Sequence, residues 1–156
     1  MGTDERIKLL QGMPFFGAIN KESVKLLLDL SDTRLVSAGD YFYRQGDPGN
    51  CLYILESGLV EIIKELDHQA HQLCTIKESG CFGELALINV ANRSASARAL
   101  KDCRAIHIQA SALHELYKHD KEQFLLIQMN MAREVCRQLQ QADERWFREQ
   151  IELSDK

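Results

Sequence analysis

The sequence predicts an α+β fold: a double-stranded β-helix, or jelly-roll-like β-roll, flanked by N-terminal and C-terminal helices. Three observations carry that expectation. Turn-forming residues recur about every ten positions between residues 33 and 109. The runs between them, such as CLYILE and LVEIIKEL, are rich in Val, Ile, Tyr and Leu. Outside this region, apolar residues fall at the three- and four-residue steps of a helix face. With 156 residues, 45% of them apolar and 27% charged, the chain is long enough for one core and short for two. We therefore expect a single domain in three parts: a helical lead-in over 1–31, the β-roll over 32–109, and closing helices over 110–156 that act as lid or dimerisation element.

The lead-in reads as a short amphipathic helix over 4–10 ending at Gly12. A break at Met13-Pro14 follows, and then a second helix that Asn20 can cap, with Val24, Leu27 and Leu28 apolar. In the body, Gly39-Asp40, Gly46-Asp47-Pro48-Gly49, Ser57-Gly58 and Ser79-Gly80 separate roughly seven or eight strands. After Ile108 the strand pattern stops. Residues 110–119 read as a short helix, and 121–153 as one or two longer ones. In the last segment Leu125, Ala132, Val135, Leu139, Ala142, Trp146 and Leu153 lie on alternating three- and four-residue steps. That face either covers the open end of the roll or forms a homodimer seam; the spacing leaves both open.

Charge and cysteine usage exclude several classes. A formal charge of −4 and a pI near 5.7 argue against a duplex DNA binder, whose affinity comes from clustered cations neutralising phosphates. The five cysteines, Cys51, Cys74, Cys81, Cys103 and Cys136, show no CxxC pair and no metal-ligand spacing. They are expected as small reduced core residues in a cytoplasmic protein. The start, MGTDERIKLL, has no apolar run for a signal peptide or membrane span. His68 and His71 are expected at a solvated hairpin tip rather than on a metal, and His107 as a strand residue facing polar neighbours. The sequence holds no phosphate loop, GxGxxG or nucleophile elbow, so no catalytic set is expected.

The segment CFGELALINVANRSASARA, residues 81–99, stands out within the strand-rich body. Glu-Leu-Ala-Leu are strong helix formers where a strand would be expected. A one-turn helix opening on Gly83, with Glu84 in its first turn, offers free backbone N–H groups to an anion. Arg93 can return to the same pocket and clamp two phosphate oxygens with its planar fork. The competing reading is an internal Glu84–Arg93 ion pair that ties a loop down. Spacing does not choose between them.

FGELALI, followed five residues later by Arg93-Ser94-Ala95, resembles the phosphate-binding cassette of cyclic-nucleotide-binding domains. PFFGAINKESVKLLL is similar to the first helices of that family, and AGDYFYRQGDPGNCLYILESGLVEI to its glycine-punctuated strands. The resemblance implies a non-catalytic sensor for a cyclic mononucleotide, cAMP or cGMP, with no cofactor and no metal. It places the cassette at 82–95 and assigns Glu84 to the ribose 2′-hydroxyl and Arg93 to the exocyclic phosphate oxygens. Gly83, Leu85 and Ala86 would supply backbone contacts, Ser94 and Ala95 would line the phosphate, and Phe82 would be a packing residue.

Two departures bear on the ligand. No proline precedes Arg93, and Ser94 stands where kinase regulatory subunits usually carry alanine, which leaves the choice of base open with a lean to cAMP. In the family the closing helix moves over the nucleotide, with Val135, Leu139, Trp146 and Phe147 as candidates to reach the base. The 15 residues after Gln141 are too few for a winged-helix DNA-binding domain, so output is expected through an unidentified effector protein or dimerisation. The alternatives are an interaction module of this fold that no longer binds nucleotide, or a fragment of a larger channel or regulator.

Overall fold

In the computed structural model, which describes residues 1–156 apart from the side chain of Asn89, the lead-in is helix α1 (Thr3–Gln11), a 3-10 turn (Pro14–Phe16) and helix α2 (Lys21–Asp29). Proline opens the 3-10 turn, where its missing N–H has no partner to lose. Asn20 caps α2 by accepting from the Ser23 N–H at 2.9 Å. Ile7, Leu10, Val24 and Leu27 turn inward from these helices.

Eight strands follow: β1 (Asp32–Val36), β2 (Tyr41–Tyr43), β3 (Cys51–Ser57), β4 (Val60–Leu66), β5 (Gln69–Ile76), β6 (Cys81–Phe82), β7 (Ser96–Ala99) and β8 (Cys103–Gln109). They form two four-stranded antiparallel sheets, ordered β1-β8-β3-β6 and β2-β7-β4-β5. Strand β3 is buried on both faces, which is why CLYILE reads as a continuous apolar run rather than an alternation. Leu52 and Ile54 join Ile106 and Ile108 under the helices, while Tyr53, Leu55 and Ala105 point into the roll. Ala97 and Ala99 of β7 let the second sheet approach closely. The body is thus an α+β stack of helices, sheet and sheet, as the turn pattern predicts.

Strands β4 and β5 meet in a two-residue turn, with Leu66 opposite Gln69. Asp67 and His68 both have positive φ, 52° and 63°, as a primed hairpin turn requires. His68 therefore sits at the hairpin tip, and His71 is exposed on β5. His107 differs from expectation: it is buried and stacks on Tyr53 with ring centroids 5.0 Å apart. The cysteines divide as well. Cys51 and Cys103 are buried core residues and Cys81 is half-buried, but Cys74 and Cys136 are exposed because they sit on a strand and a helix that project from the roll.

Helix α4 (Ala110–His119) is followed by one continuous helix, α5 (Lys121–Ser154), capped by Asp120 accepting from the Gln123 N–H. Only Ile127 and Met131 of α5 are fully buried, and Asn130 donates to the carbonyls of Phe15 and Gly17. From residue 139 onward every position is exposed. Leu125, Leu139, Trp146 and Leu153 of the predicted seam face outward, while its Val135 is half-buried. The packed face is Phe124, Ile127 and Met131, rotated away from it. Among the described residues no helix is long and apolar enough to cross a membrane.

Candidate functional site

The chain leaves β6 through Gly83, whose φ of +83° is the left-handed conformation that a side chain would strain. Helix α3 (Leu85–Asn89) follows at once, with Glu84 at its N-cap rather than in its first turn. The Glu84 side chain makes no capping bond, and Glu84 lines the cleft. Val90 closes α3 in a left-handed conformation, and the loop beyond it delivers Arg93.

Backbone bonds fix the arginine's position: its N–H donates to the Asp47 carbonyl, and its own carbonyl accepts from the Gly46 N–H, both at 2.8 Å. The turn at 46–49 and the cassette are thereby one structure. A side chain at Gly49 would stand 2.4 Å from the Ala86 Cβ and 3.1 Å from the Arg93 Nε, so only glycine fits there.

Arg93 is 5% exposed. Its Nη1 donates to the Gly83 carbonyl at 2.7 Å, and its Nη2 to the Cys51 carbonyl and Sγ, both at 3.0 Å. The guanidinium carbon lies 4.1 Å from the centroid of the Tyr43 ring. Its Nε is buried without a hydrogen-bond partner. Among the described residues no carboxylate pairs with Arg93, so the internal Glu84–Arg93 ion pair is not formed. Each terminal nitrogen of the fork thus already donates to the protein, while Nε has no partner.

A cleft of about 710 Å³ opens beside this arginine, within the usual size range of small-molecule sites. All seven residues singled out in the sequence, Gly83, Glu84, Leu85, Ala86, Arg93, Ser94 and Ala95, line it. Ala86 and Ala95 are buried in its wall, whereas Leu85 and Ser94 are exposed at its rim. Phe82 packs inward on Phe42 and Tyr53, at ring distances of 5.0 and 5.3 Å. Burial also lifts the Tyr43 and Tyr53 hydroxyls above the usual phenol value, Tyr53 to about 12, so this aromatic floor is uncharged.

The opposite wall comes from Ile62, Leu73 and Ile76 of the β4–β5 hairpin and from α5. Of the four apolar candidates on α5 only Val135 lines the cleft; Leu139, Trp146 and Phe147 point away from it. Gln138, Gln141 and Arg145 line it instead. Sequence reasoning missed these because the seam was sought among apolar residues, although their own three- and four-residue steps were a signal. Glu84 faces this polar wall. Burial raises its carboxyl above the usual carboxylate range; its own backbone N–H, Gln138 and Arg93 oppose the rise, and Glu134 adds to it.

The arrangement suits an anion presented to a buried cation, flanked by one carboxylate and an apolar wall. No nucleophile is paired with a base here, and no cluster of His, Cys, Asp or Glu among the described residues could hold a metal ion.

Residues 33–120 match the family model described as the cyclic nucleotide-binding domain. The chain is 31% identical over 135 residues to the cyclic AMP receptor protein of Thermus thermophilus, covering 86% of this chain and 61% of that protein. It is 33% identical over 101 residues to the cAMP-dependent protein kinase type II regulatory subunit of Drosophila melanogaster, covering 62% of this chain and 26% of that one. The chain thus spans less than two thirds of the length of either relative. Among solved structures, cAMP-bound PfPKA-R superposes with a TM-score of 0.68 at 26% identity, covering 73% of this chain and 41% of that one.

Proposed function

The chain belongs to the cyclic nucleotide-binding domain family, and from that premise we propose that it is a non-catalytic sensor whose cleft takes a cyclic mononucleotide, cAMP in preference to cGMP. One observation carries this reading: Arg93, which lines the cleft, is a buried guanidinium with no carboxylate partner and an Nε without a hydrogen-bond partner. A buried charge of this kind is costly unless an opposite charge arrives, and a phosphate supplies one. In our reading the exocyclic oxygens of the cyclic phosphate meet the Arg93 Nε edge, and Glu84 accepts from the ribose 2′-hydroxyl. Gly83, Leu85 and Ala86 offer backbone contacts, and Ser94 and Ala95 border the phosphate. The base lies between the β4–β5 hairpin and α5. Both relatives named for cAMP support the lean to adenine.

We further propose that nucleotide binding draws α5 against the cleft, because Val135, Gln138, Gln141 and Arg145 already stand at its mouth. A ligand shifts such a helix only by its differential affinity for the two arrangements. The exposed face of α5 that carries Leu139 and Trp146 is assigned to a homodimer, and the output to an effector protein in the cytoplasm. The lead-in, roll with its cassette, and closing helices would work as one sensing unit.

A second reading, an interaction module that binds no nucleotide, draws on the engagement of both Arg93 terminal nitrogens by the protein's own carbonyls. Calorimetry with cAMP, cGMP and 5′-AMP separates the two. Binding of a cyclic nucleotide with no binding of 5′-AMP supports the sensor; no heat with any of them sinks it.

A further inference from the structure

Behind the cassette lies a second cavity of about 400 Å³, bounded by α3, α4 and the first half of α5. Leu113 and Met131 form its buried floor, and Leu87 closes it from α3. Its lip is aromatic: the rings of His114 and Tyr117 stack at 6.2 Å, and Phe124 stands edge-on to Tyr117 at 5.3 Å. Gln128 contributes an amide. No carboxylate, ammonium or guanidinium group lines this space.

These features define an occupant. An ion would lose its hydration over an apolar floor, with only the His114 imidazole and, over the Tyr117 ring at 5.4 Å, the Lys121 ammonium at the lip, so an uncharged guest is favoured. The cavity is large enough for a drug-like fragment, and three ring edges and faces favour a planar aromatic guest. The Gln128 amide can take one hydrogen bond. Ile88 borders both this cavity and the Arg93 cleft, so α3 is the wall between them. With only five residues, that wall has few contacts of its own to hold it still.

We propose that the cavity behind α3 is a second ligand site, for a small uncharged aromatic molecule carrying one hydrogen-bonding group, and that its occupant braces α3 and tightens nucleotide binding in the cleft. The bracing rests on the cyclic-nucleotide reading; the site itself does not. By linkage, nucleotide tightens the aromatic ligand by the same factor.

Calorimetry on the full chain with indole as probe tests the site, with indole-2-carboxylate as the charged control. Indole binds with a Kd below about 1 mM and the carboxylate at least about tenfold more weakly. Leu113→Phe, which fills the floor, weakens indole by about tenfold or more. Should circular dichroism show that variant unfolded, Gln128→Leu at the rim decides by the same loss. No indole binding by the parent, equal binding of the carboxylate, or unchanged indole affinity in a folded variant overturns the site. For the bracing, cAMP is titrated with and without saturating indole, and about fivefold tighter binding is expected. Unchanged cAMP affinity overturns the bracing. Absence of cAMP binding under both conditions sinks the nucleotide reading and the bracing with it, while the indole titration still decides the cavity.

Discussion

Arg93 Nη1 donates to the Gly83 carbonyl at 2.7 Å, so the residue that turns the chain into the cassette also holds the cassette's buried cation. A side chain at position 83 would place its Cβ 2.7 Å from that same Nη1, at a φ of +83° that such residues avoid. Gly83→Ala is therefore expected to cost about 1–3 kcal/mol in stability and to displace the guanidinium. Urea denaturation and nucleotide calorimetry check both effects. A variant with parental stability and affinity would contradict the coupling.

Removing the cation itself separates recognition from folding. Arg93→Ala should weaken cyclic-nucleotide binding by roughly 3–5 kcal/mol, two to three decades or more. Arg93→Lys keeps the charge but cannot reach Gly83 and Cys51 together, and most of the affinity should be lost with it. Parental affinity in either variant would show that the phosphate is bound elsewhere.

Glu84 makes the ligand-free and ligand-bound proteins respond oppositely to pH. Burial raises its carboxyl in the folded state, so folding favours the protonated form. That contribution is complete below the usual carboxylate range and is lost as pH rises through the raised folded value. Glu84→Gln should accordingly raise the ligand-free Tm at neutral pH, with the difference shrinking toward acid. It should weaken nucleotide binding by about 1.5–3 kcal/mol, because a charged acceptor for the ribose hydroxyl is gone. Parental nucleotide affinity should fall as pH drops through the Glu84 value. A variant less stable than the parent at neutral pH would be against this account.

His107 works in the other direction. Burial lowers its pKa, Arg34 and Arg93 lower it further, and Asp32 partly restores it. Its stability contribution is present above the ordinary histidine value and is lost as pH falls below it. His107→Phe retains a ring against Tyr53. Its Tm should change less than the parent's between about pH 7 and pH 5. Equal pH profiles would remove His107 as a source of acid sensitivity.

The two halves of α5 can be tested apart. Removing all residues after His119 would strip Ile127 and Met131 from the core, so the informative deletion is 134–156, which spares them. It takes Val135, Gln138, Gln141 and Arg145 from the cleft and should weaken nucleotide binding about tenfold, a loss of about 1.4 kcal/mol. Separately, Leu139→Glu with Trp146→Glu should convert a dimer to a monomer in sedimentation experiments, since both side chains are more than half exposed on an unpartnered face. A parent that sediments as a monomer would refute the dimer.

Strands, turns and helix caps were legible in the sequence because they depend on near neighbours. Asn20 caps α2, Asp67 and His68 turn the β4–β5 hairpin, and the break after Gly83 starts a one-turn helix. The cassette at 82–95 was recognisable for the same reason: its residue types lie close together along the chain. Tertiary structure alone decided how distant groups meet. It separated Glu84 from Arg93, gave the guanidinium fork to Gly83 and Cys51, and turned Gln138 rather than Leu139 toward the cleft. Those outcomes depend on where a helix crosses a sheet and which way a buried side chain points. Such relations are set by packing between residues tens of positions apart, and spacing along the chain does not encode them.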